Sequence, residues 1–242
     1  MIVVLAVAGV AHADDYTALP CRPTIACTAD FVPPGVLEIE SGYLYRRLAG
    51  GVNQSSLPFL VKLTLAPWAQ LQVGSNGPTL QGDAHYLDDV TAGLKVQLRR
   101  QTAHVPSISL SATASVPTFA ASGYLRTYDA LAIAYVTKDL GWLHADWNLG
   151  LSAWRLDATT ITQAWTALAL STPLGAGFGA MLEGYTFSDA APIAPRDAGI
   201  LAAVSYQPRW WIVLDAGPDV GLTATRVASA FAGVTFIAGE LW

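Results

Sequence analysis

Charged residues are scarce in this chain. Only 13% of its 242 residues are Asp, Glu, Lys or Arg, while 52% are apolar. Ordinary soluble domains carry roughly a quarter of charged residues, so something other than water must face much of this chain. The net charge of −5 comes without a basic patch, which argues against nucleic-acid binding.

Cysteines and catalytic motifs are scarce as well. Cys21 and Cys27 are the only cysteines. Their close spacing favours a small disulfide loop, with free thiols as the alternative, and metal binding is disfavoured because no His lies nearby. His144 and Asp146 invite a catalytic or metal-binding interpretation, but HxxH, HExxH and GxSxG motifs are absent. We therefore expect no catalytic residue, cofactor or metal, and no enzymatic activity.

The chain begins with a run typical of a secretory signal. Met1–Ala13 is apolar and ends on a small-x-small cleavage site. It is too short to span a bilayer as a helix and lacks the usual basic start, so a buried N-terminal strand is the alternative. We divide the chain into a signal peptide at 1–13, a periplasmic segment at 14–35 that holds the two cysteines, and a barrel domain at 36–242.

Alternation of apolar and polar residues dominates the chain after residue 35. In Val36–Leu48, Leu37 and Ile39 lie on one face and Glu38 and Glu40 on the other, as the side chains of a strand do. Eleven more segments are strand-like: 56–65, 69–75, 90–99, 107–116, 128–138, 143–153, 160–172, 178–188, 198–207, 210–219 and 228–242. Twelve segments predict an all-β fold, a transmembrane antiparallel up-and-down β-barrel.

The connections between these segments support the barrel. Outer-membrane barrels have short periplasmic turns and longer external loops. The predicted short connections are 66–68, 138–142 and 207–209, and the predicted long ones are 76–89, 117–127 and 189–197. The uncharged stretch 158–182 is long enough for a membrane helix, but Pro173 and Gly175 interrupt it, so two strands fit it better.

A series of short motifs runs along the chain. Arg22-Pro23 precedes Pro33-Pro34-Gly35 and the strand motif Glu40-Ser41-Gly42-Tyr43; Gly93-Leu94-Lys95, Val116-Pro117 and Asp197-Ala198-Gly199 follow. The series resembles an outer-membrane β-barrel family named for the meta-pathway of phenol degradation. The resemblance implies a transporter of hydrophobic or aromatic compounds.

The phase of the strands assigns a set of polar side chains to the barrel interior. A lipid-facing Arg or Lys at the bilayer midplane costs about 2–4 kcal/mol, so charges should lie inside or near the rims. The predicted lumen-lining set is Glu38, Glu40, Arg46, Lys62, Gln70, Gln72, Lys95, Gln97, Arg99, His144, Asp146, Asn148 and Asp215. These side chains either line a polar pore or pair with one another and fill a narrow barrel.

Tryptophans gather at one end of the predicted barrel. The members that fall at short-turn ends of strands are Trp68, Trp142, Trp210, Trp211 and Trp242. Amphipathic indole rings sit well at membrane interfaces, so these residues predict a periplasmic interfacial belt. The alternative is the aromatic core of a soluble sandwich.

These features predict a bacterial outer-membrane barrel for the passive uptake or binding of small hydrophobic or aromatic compounds. No plug domain is visible in the sequence. The expected partners are outer-membrane lipid, a small permeant and the barrel-assembly machinery during biogenesis, and not nucleic acid. Two alternatives stay open: an outer-membrane enzyme acting on lipids, and a structural barrel with a closed lumen.

Overall fold

One closed antiparallel sheet makes up the fold. The computed structural model describes residues 16–21, 24–116, 128–156, 159–190, 196–223 and 226–242. Its strands are β1 (Val36–Leu48), β2 (Asn53–Ser56), β3 (Phe59–Ala66), β4 (Ala69–Ser75), β5 (Pro78–Gln81), β6 (Ala84–Leu87), β7 (Val90–Arg99), β8 (Ser107–Val116), β9 (Tyr128–Asp139), β10 (His144–Leu156), β11 (Thr159–Gly175), β12 (Phe178–Phe187), β13 (Asp197–Arg209), β14 (Ile212–Gly221) and β15 (Arg226–Glu240). A 3₁₀ turn, Ala49–Gly51, lies between β1 and β2.

Twelve of these strands close the barrel. The wall runs in the order β1, β3, β4, β7 and β8 through β15, and β15 pairs back onto β1. Each predicted segment corresponds to one of these strands, which confirms the twelve-stranded antiparallel barrel. Within the stretch 158–182, residues 159–182 form β11 and the first half of β12, joined by the tight turn Ala176-Gly177. In the described ranges, no helix is long and apolar enough to cross a membrane.

We call the end of the barrel where β1 begins and β15 ends the near end, and the opposite end the far end. Compact connections lie at the near end, with 67–68 between β3 and β4, 140–143 between β9 and β10, and 210–211 between β13 and β14. The connection 76–89 lies at the far end.

Charged and polar side chains are buried inside the barrel, whereas large apolar side chains cover its outer surface. Leu94 on β7 is 42% exposed on the outer surface, while its neighbour Lys95 is 1% exposed inside. Other large apolar side chains that are exposed on the outer surface are Leu71, Leu110, Leu149, Leu168, Leu182, Ile200, Val204 and Leu214. Because successive side chains of a strand point to opposite faces, this pattern gives an apolar outer band typical of a membrane barrel.

Three short strands extend the wall at the far end, and two of them, β5 and β6, lie in the loop that the sequence predicted at 76–89. β2 pairs with the far-end part of β1, β5 pairs with β2, and β6 pairs with β5. Each is separated from its long strand by a two-residue break at 57–58, 76–77 or 88–89. Gly77 has a φ of +66°, and a Cβ there would collide with the Leu57 carbonyl. The breaks hid these strands from the sequence pattern, because each piece is too short to show alternation.

The segment before β1 lies inside the barrel. We call its described residues, 16–21 and 24–35, the plug segment. Ala18, Ala29 and Val32 are at most 3% exposed, and the backbone N–H of Ala18 donates to the Trp210 carbonyl at the near end (2.9 Å). The sequence predicted a periplasmic segment at 14–35 and no plug, whereas the described residues of this segment lie within the barrel. The physical reason is that inward polar side chains of the wall satisfy the backbone groups of this strand-free segment.

Candidate functional site

A buried ion cluster on β1 and β3 binds the plug segment. Glu38 and Lys62 are direct cross-strand partners, and the Lys62 Nζ lies 3.2 Å from Glu38 Oε2 and 2.7 Å from Glu40 Oε1. All three side chains are at most 2% exposed. Two carboxylates against one ammonium leave an excess negative charge, and buried charges need further partners.

The plug segment supplies those partners. The Leu19 N–H donates to Glu38 Oε1 at 2.8 Å, and the Cys21 N–H donates to Glu40 Oε1 at 3.0 Å. The Lys62 ammonium in turn donates to the Leu19 carbonyl. Glu38, Glu40 and Lys62, which the sequence assigned to the lumen, are thus hydrogen-bonded to the plug segment.

Glu183 on β12 binds the plug segment from the opposite wall. Its carboxylate accepts the Ile25 N–H at 3.1 Å and the Ala26 N–H at 2.9 Å, and it is fully buried. On β10, Asn148 meets both backbone groups of Cys27 at 2.9 Å once its amide nitrogen faces the carbonyl. The sequence did not assign Glu183 to the lumen, because 178–188 is ambiguous in phase. Glu183 is the one charged residue in 178–188, and this alone could have indicated that it points inward.

Lys95 on β7 holds the next part of the plug segment. Its ammonium donates to the Thr28 carbonyl and lies over two aromatic rings, 4.3 Å from the centroid of Tyr135 and 5.3 Å from that of Phe31. Ring faces attract a cation, so the wall and the plug segment together accommodate this buried charge.

Polar side chains of β7 and β8 bind residues 29–30 of the plug segment. Asp30 accepts hydrogen bonds from the Ser107 hydroxyl at 2.6 Å and from the Gln97 amide at 3.2 Å. The Ser109 hydroxyl donates to the Ala29 carbonyl at 2.6 Å. Two of the serines that alternate along β8, Ser107 and Ser109, therefore serve as contacts to the plug segment.

His144 joins two carboxylates at the near end. Its Nδ1 lies 2.6 Å from Asp139 and its Nε2 lies 3.2 Å from Asp146. Asp146 also accepts from the Thr137 hydroxyl, which itself accepts the Ala29 N–H at 2.7 Å. Because both ring nitrogens face carboxylates, this is an ion-pair arrangement and not a base beside a nucleophile. Within the described part of the chain, no group of three His, Cys, Asp or Glu could hold a metal ion.

The far end of the lumen carries a second charged group. The guanidinium of Arg46 lies in the electrostatic field of Asp219, Asp197 and Asp88 and is 3.5 Å from the Gln54 amide oxygen. Burial raises the pKa of Asp88 above its ordinary value. This group lies beyond the plug segment, close to β2 and β5.

One side of the lumen is apolar. Leu131 and Ile133 on β9 point inward, although the strand phase had left them outside the predicted lumen set. They pack with inward side chains of β11 and β12. We define the apolar wall as Leu131, Ile133, Trp165, Met181, Tyr185 and Phe187. Ile25 and Ala26 of the plug segment contact it.

Two glycines let the aromatic rings of the apolar wall lie flat. Gly150 on β10 pairs with Trp165, and a Cβ on Gly150 would collide with the indole ring. A Cβ on Gly199 of β13 would likewise collide with the Tyr185 hydroxyl. The Trp165 and Phe187 centroids are 5.8 Å apart. A ring that lies against a neighbouring glycine leaves the middle of the barrel open.

A cavity of about 440 Å³ remains between the plug segment and β10–β14. Its apolar lining includes Leu19, Ala26, Met181 and Val213, and its lining carboxylates are Asp30, Asp146 and Asp215. A second cavity, of about 190 Å³, borders the Cys21 and Cys27 side chains and the opposite wall.

The remaining residues of the predicted lumen set fall in two groups. Gln70 is buried and donates to Thr64 at 3.3 Å, and Gln72 donates to Gln70 at 3.0 Å. Arg99 is exposed at the near end of β7, where a bulge changes the register and places it opposite Ile108. Arg99 therefore leaves the inward alternation that the sequence suggested.

The tryptophans of the predicted belt lie at the near end. Trp68, Trp142, Trp211 and Trp242 are 59%, 73%, 40% and 62% exposed. Trp210 instead packs edge to face on Tyr16 of the plug segment, with ring centroids 5.6 Å apart.

Comparison with known proteins relates the chain to others through structure alone. No protein family and no curated protein matches the sequence. The structure is similar to the COG4313 outer membrane channel from Pseudomonas putida F1, with a TM-score of 0.65 and 10% identity over 86% of this chain and 97% of that chain. It is also similar to the KdgM porin in complex with disordered oligogalacturonate, with a TM-score of 0.57 and 9% identity over 82% of this chain and 98% of that one. At such identities the likeness shows the fold.

Proposed function

We propose that this chain is a barrel of the bacterial outer membrane that passes or binds small hydrophobic or aromatic molecules, without a cofactor and without enzymatic activity. The similarity in fold to an outer membrane channel and a porin and the apolar outer band support this proposal. The motif series of the sequence supports membership in the family named for the meta-pathway of phenol degradation. In this proposal the near end faces the periplasm, and Trp68, Trp142, Trp211 and Trp242 lie at that interface.

The apolar wall is the observation that carries the substrate class. A lumen for sugars or ions is expected to be polar, whereas here the rings of Trp165 and Phe187 pack together inside the barrel. Apolar surface inside a water-accessible lumen favours apolar molecules, because their transfer from water is favourable. In this proposal, six of the thirteen residues of the predicted lumen set hold the plug segment and do not select the permeant: Glu38, Glu40, Lys62, Lys95, Gln97 and Asn148.

The experiment compares two tryptophans on opposite faces of the wall. Trp165 lies in the lumen, while Trp147 on β10 is 44% exposed on the outer surface. We expect Trp165→Ala to weaken binding of a naphthalene probe about tenfold, which corresponds to about 1.4 kcal/mol, and Trp147→Ala to leave it unchanged. The affinity is measured with each variant in lipid nanodiscs.

Uptake is measured in parallel with cells that express the chain in their outer membrane. The proposal expects faster entry of a hydrophobic fluorescent probe and no change for a disaccharide. If the disaccharide enters as fast as the probe, or if both tryptophan variants bind equally, the hydrophobic substrate class is wrong.

A structural barrel with a closed lumen is the second candidate. The observation in its favour is the plug segment, which engages the Glu38, Glu40 and Lys62 charges at the near end. It predicts neither probe binding nor uptake under any condition. The binding experiment therefore separates the two candidates.

A further inference from the structure

The disulfide of the plug segment lies inside the barrel. Cys21 and Cys27 are joined, with their Cα atoms 4.7 Å apart, the pairing that the sequence favoured. Cys27 is 8% exposed and packs with Ala29, Tyr135 and Ile133. The cross-link closes a loop of the plug segment, and we call its described residues, Cys21 and 24–27, the disulfide loop.

The disulfide loop contacts fixed carboxylates on both sides of the lumen. Its first N–H, on Cys21, donates to Glu40 of β1. Two later donors, the N–H groups of Ile25 and Ala26, converge on Glu183 of β12. The two carboxylates belong to a wall closed by backbone hydrogen bonds, so the loop must match their separation.

The cross-link is what keeps the loop in that matching shape. A short closed loop has far fewer conformations than an open one, so its donors are held in position before they meet the wall. Opening the bond lets the chain between Cys21 and Cys27 extend, and the donors for Glu40 and Glu183 then move independently. Binding of the segment to both walls then requires ordering a flexible chain, which costs entropy.

A small reductant has a place from which to reach the bond. The cavity of about 190 Å³ is bordered by both cysteines, and liquid water occupies about 30 Å³ per molecule, so several waters or a small thiol fit there. Gly74 and Thr91, at the far ends of β4 and β7, also line this cavity. Cys21 and Cys27 therefore border a cavity and are not enclosed by packed core on every side.

We propose that the Cys21–Cys27 disulfide is a thiol–disulfide exchange site that fastens the plug segment, and that its reduction releases the segment and opens the barrel. The second half of this statement rests on the proposed function. The reductant is a dithiol. One of its thiolates attacks a cysteine sulfur, the Cys21–Cys27 bond breaks, and a mixed disulfide forms. The second thiol then closes the oxidised dithiol, and two electrons and two protons end on the cysteines.

The experiment measures plug release and barrel opening separately, on the full chain in lipid. Amide hydrogen exchange of Ile25 and Ala26 is followed before and after dithiothreitol, and we expect roughly tenfold faster exchange after reduction. Ionic conductance in planar bilayers is expected to rise on reduction and to return on reoxidation with oxidised glutathione. Because the chain has only two cysteines, the reagent has one target.

A double variant, Cys21→Ser with Cys27→Ser, is the matched control. It should show the fast exchange and high conductance of the reduced chain and should not respond to dithiothreitol. Unchanged exchange of Ile25 and Ala26 in the reduced wild-type chain would overturn the fastening role. Faster exchange without a change in conductance or probe uptake would support fastening, and would show that the failure lies with the proposed function.

Discussion

Two sides of the lumen contact the same plug segment through different kinds of side chain. We define the polar wall as Glu38, Glu40, Lys62, Lys95, Ser107 and Ser109, on β1, β3, β7 and β8. The polar wall binds backbone groups of the plug segment through charged and hydroxyl side chains. The apolar wall instead offers aliphatic and aromatic surface, with Glu183 as the carboxylate beside it.

The difference concerns how each wall depends on the plug segment. Buried charges such as Lys62 and Glu38 need the segment's polar groups, because an unpartnered buried charge is costly. Trp165 and Phe187 need no partner, and an apolar molecule could replace the contacts they make. We infer that the polar wall fixes the position of the plug segment and that the apolar wall sets what else binds.

The largest effect is expected from Lys62→Met on the polar wall. This change leaves Glu38 and Glu40 buried beside each other without their cation. Removing one partner of a buried ion group costs about 3–5 kcal/mol, so the free energy of unfolding should fall by about that amount. Urea unfolding of the barrel in detergent, followed by tryptophan fluorescence, measures it.

Two further variants control this experiment. Lys138→Met removes an ammonium whose hydrogen bonds, to the Thr102 and Ala103 carbonyls, are exposed, and it should cost less than about 1 kcal/mol. Adding Glu38→Gln and Glu40→Gln to Lys62→Met should restore part of the stability, because the uncompensated charges are then gone. Equal losses for Lys62→Met and Lys138→Met would contradict the burial argument.

A smaller effect is expected from Gly150→Ala behind the apolar wall. The added methyl meets the Trp165 ring, which must swing into the lumen or strain the strand. Overpacking of this kind costs about 1–3 kcal/mol, and the displaced ring should also weaken probe binding. Gly184→Ala on β12 is the matched control, since a Cβ there meets no atom within 4 Å.

Unfolding and probe binding are both measured on this pair of variants. If Gly150→Ala lowers the free energy of unfolding but leaves probe affinity unchanged, then the ring supports the wall and does not contact the permeant. If both variants behave alike, the position of the Trp165 ring does not depend on the absence of a side chain at Gly150.

The barrel itself could be predicted from the sequence because the two faces of its wall lie in different environments. Lipid outside and a polar interior impose a period of two on every strand, as in β8, where Ser107, Ser109 and Ser111 alternate with Ile108 and Leu110. The strand count and the antiparallel order follow from this pattern and are confirmed. The far-end strands β2, β5 and β6 were missed, since four residues each carry too little periodicity.

The content of the lumen could not be predicted in the same way. Alternation tells which side chains share a face, but it cannot tell that a segment without periodicity returns into the barrel. On β9, Leu131 and Ile133 alternate with small alanines, so the strand pattern did not assign them to the lumen. The structure resolves this because Ile25 and Ala26 of the plug segment pack on that wall.

The smallest effect is expected from Arg99→Gln, which tests how far the polar wall reaches. The sequence placed Arg99 in the lumen with Lys95, but the bulge after Gln97 puts it opposite Ile108 and leaves it exposed. An exposed charge away from partners changes stability by about 0.5 kcal/mol or less, whereas Lys95→Gln removes a buried donor to the plug segment and should cost about 1–3 kcal/mol. Urea unfolding and hydrogen exchange of the Thr28–Asp30 amides compare the two variants. An effect of Arg99→Gln as large as that of Lys95→Gln would extend the polar wall past the bulge to the near end.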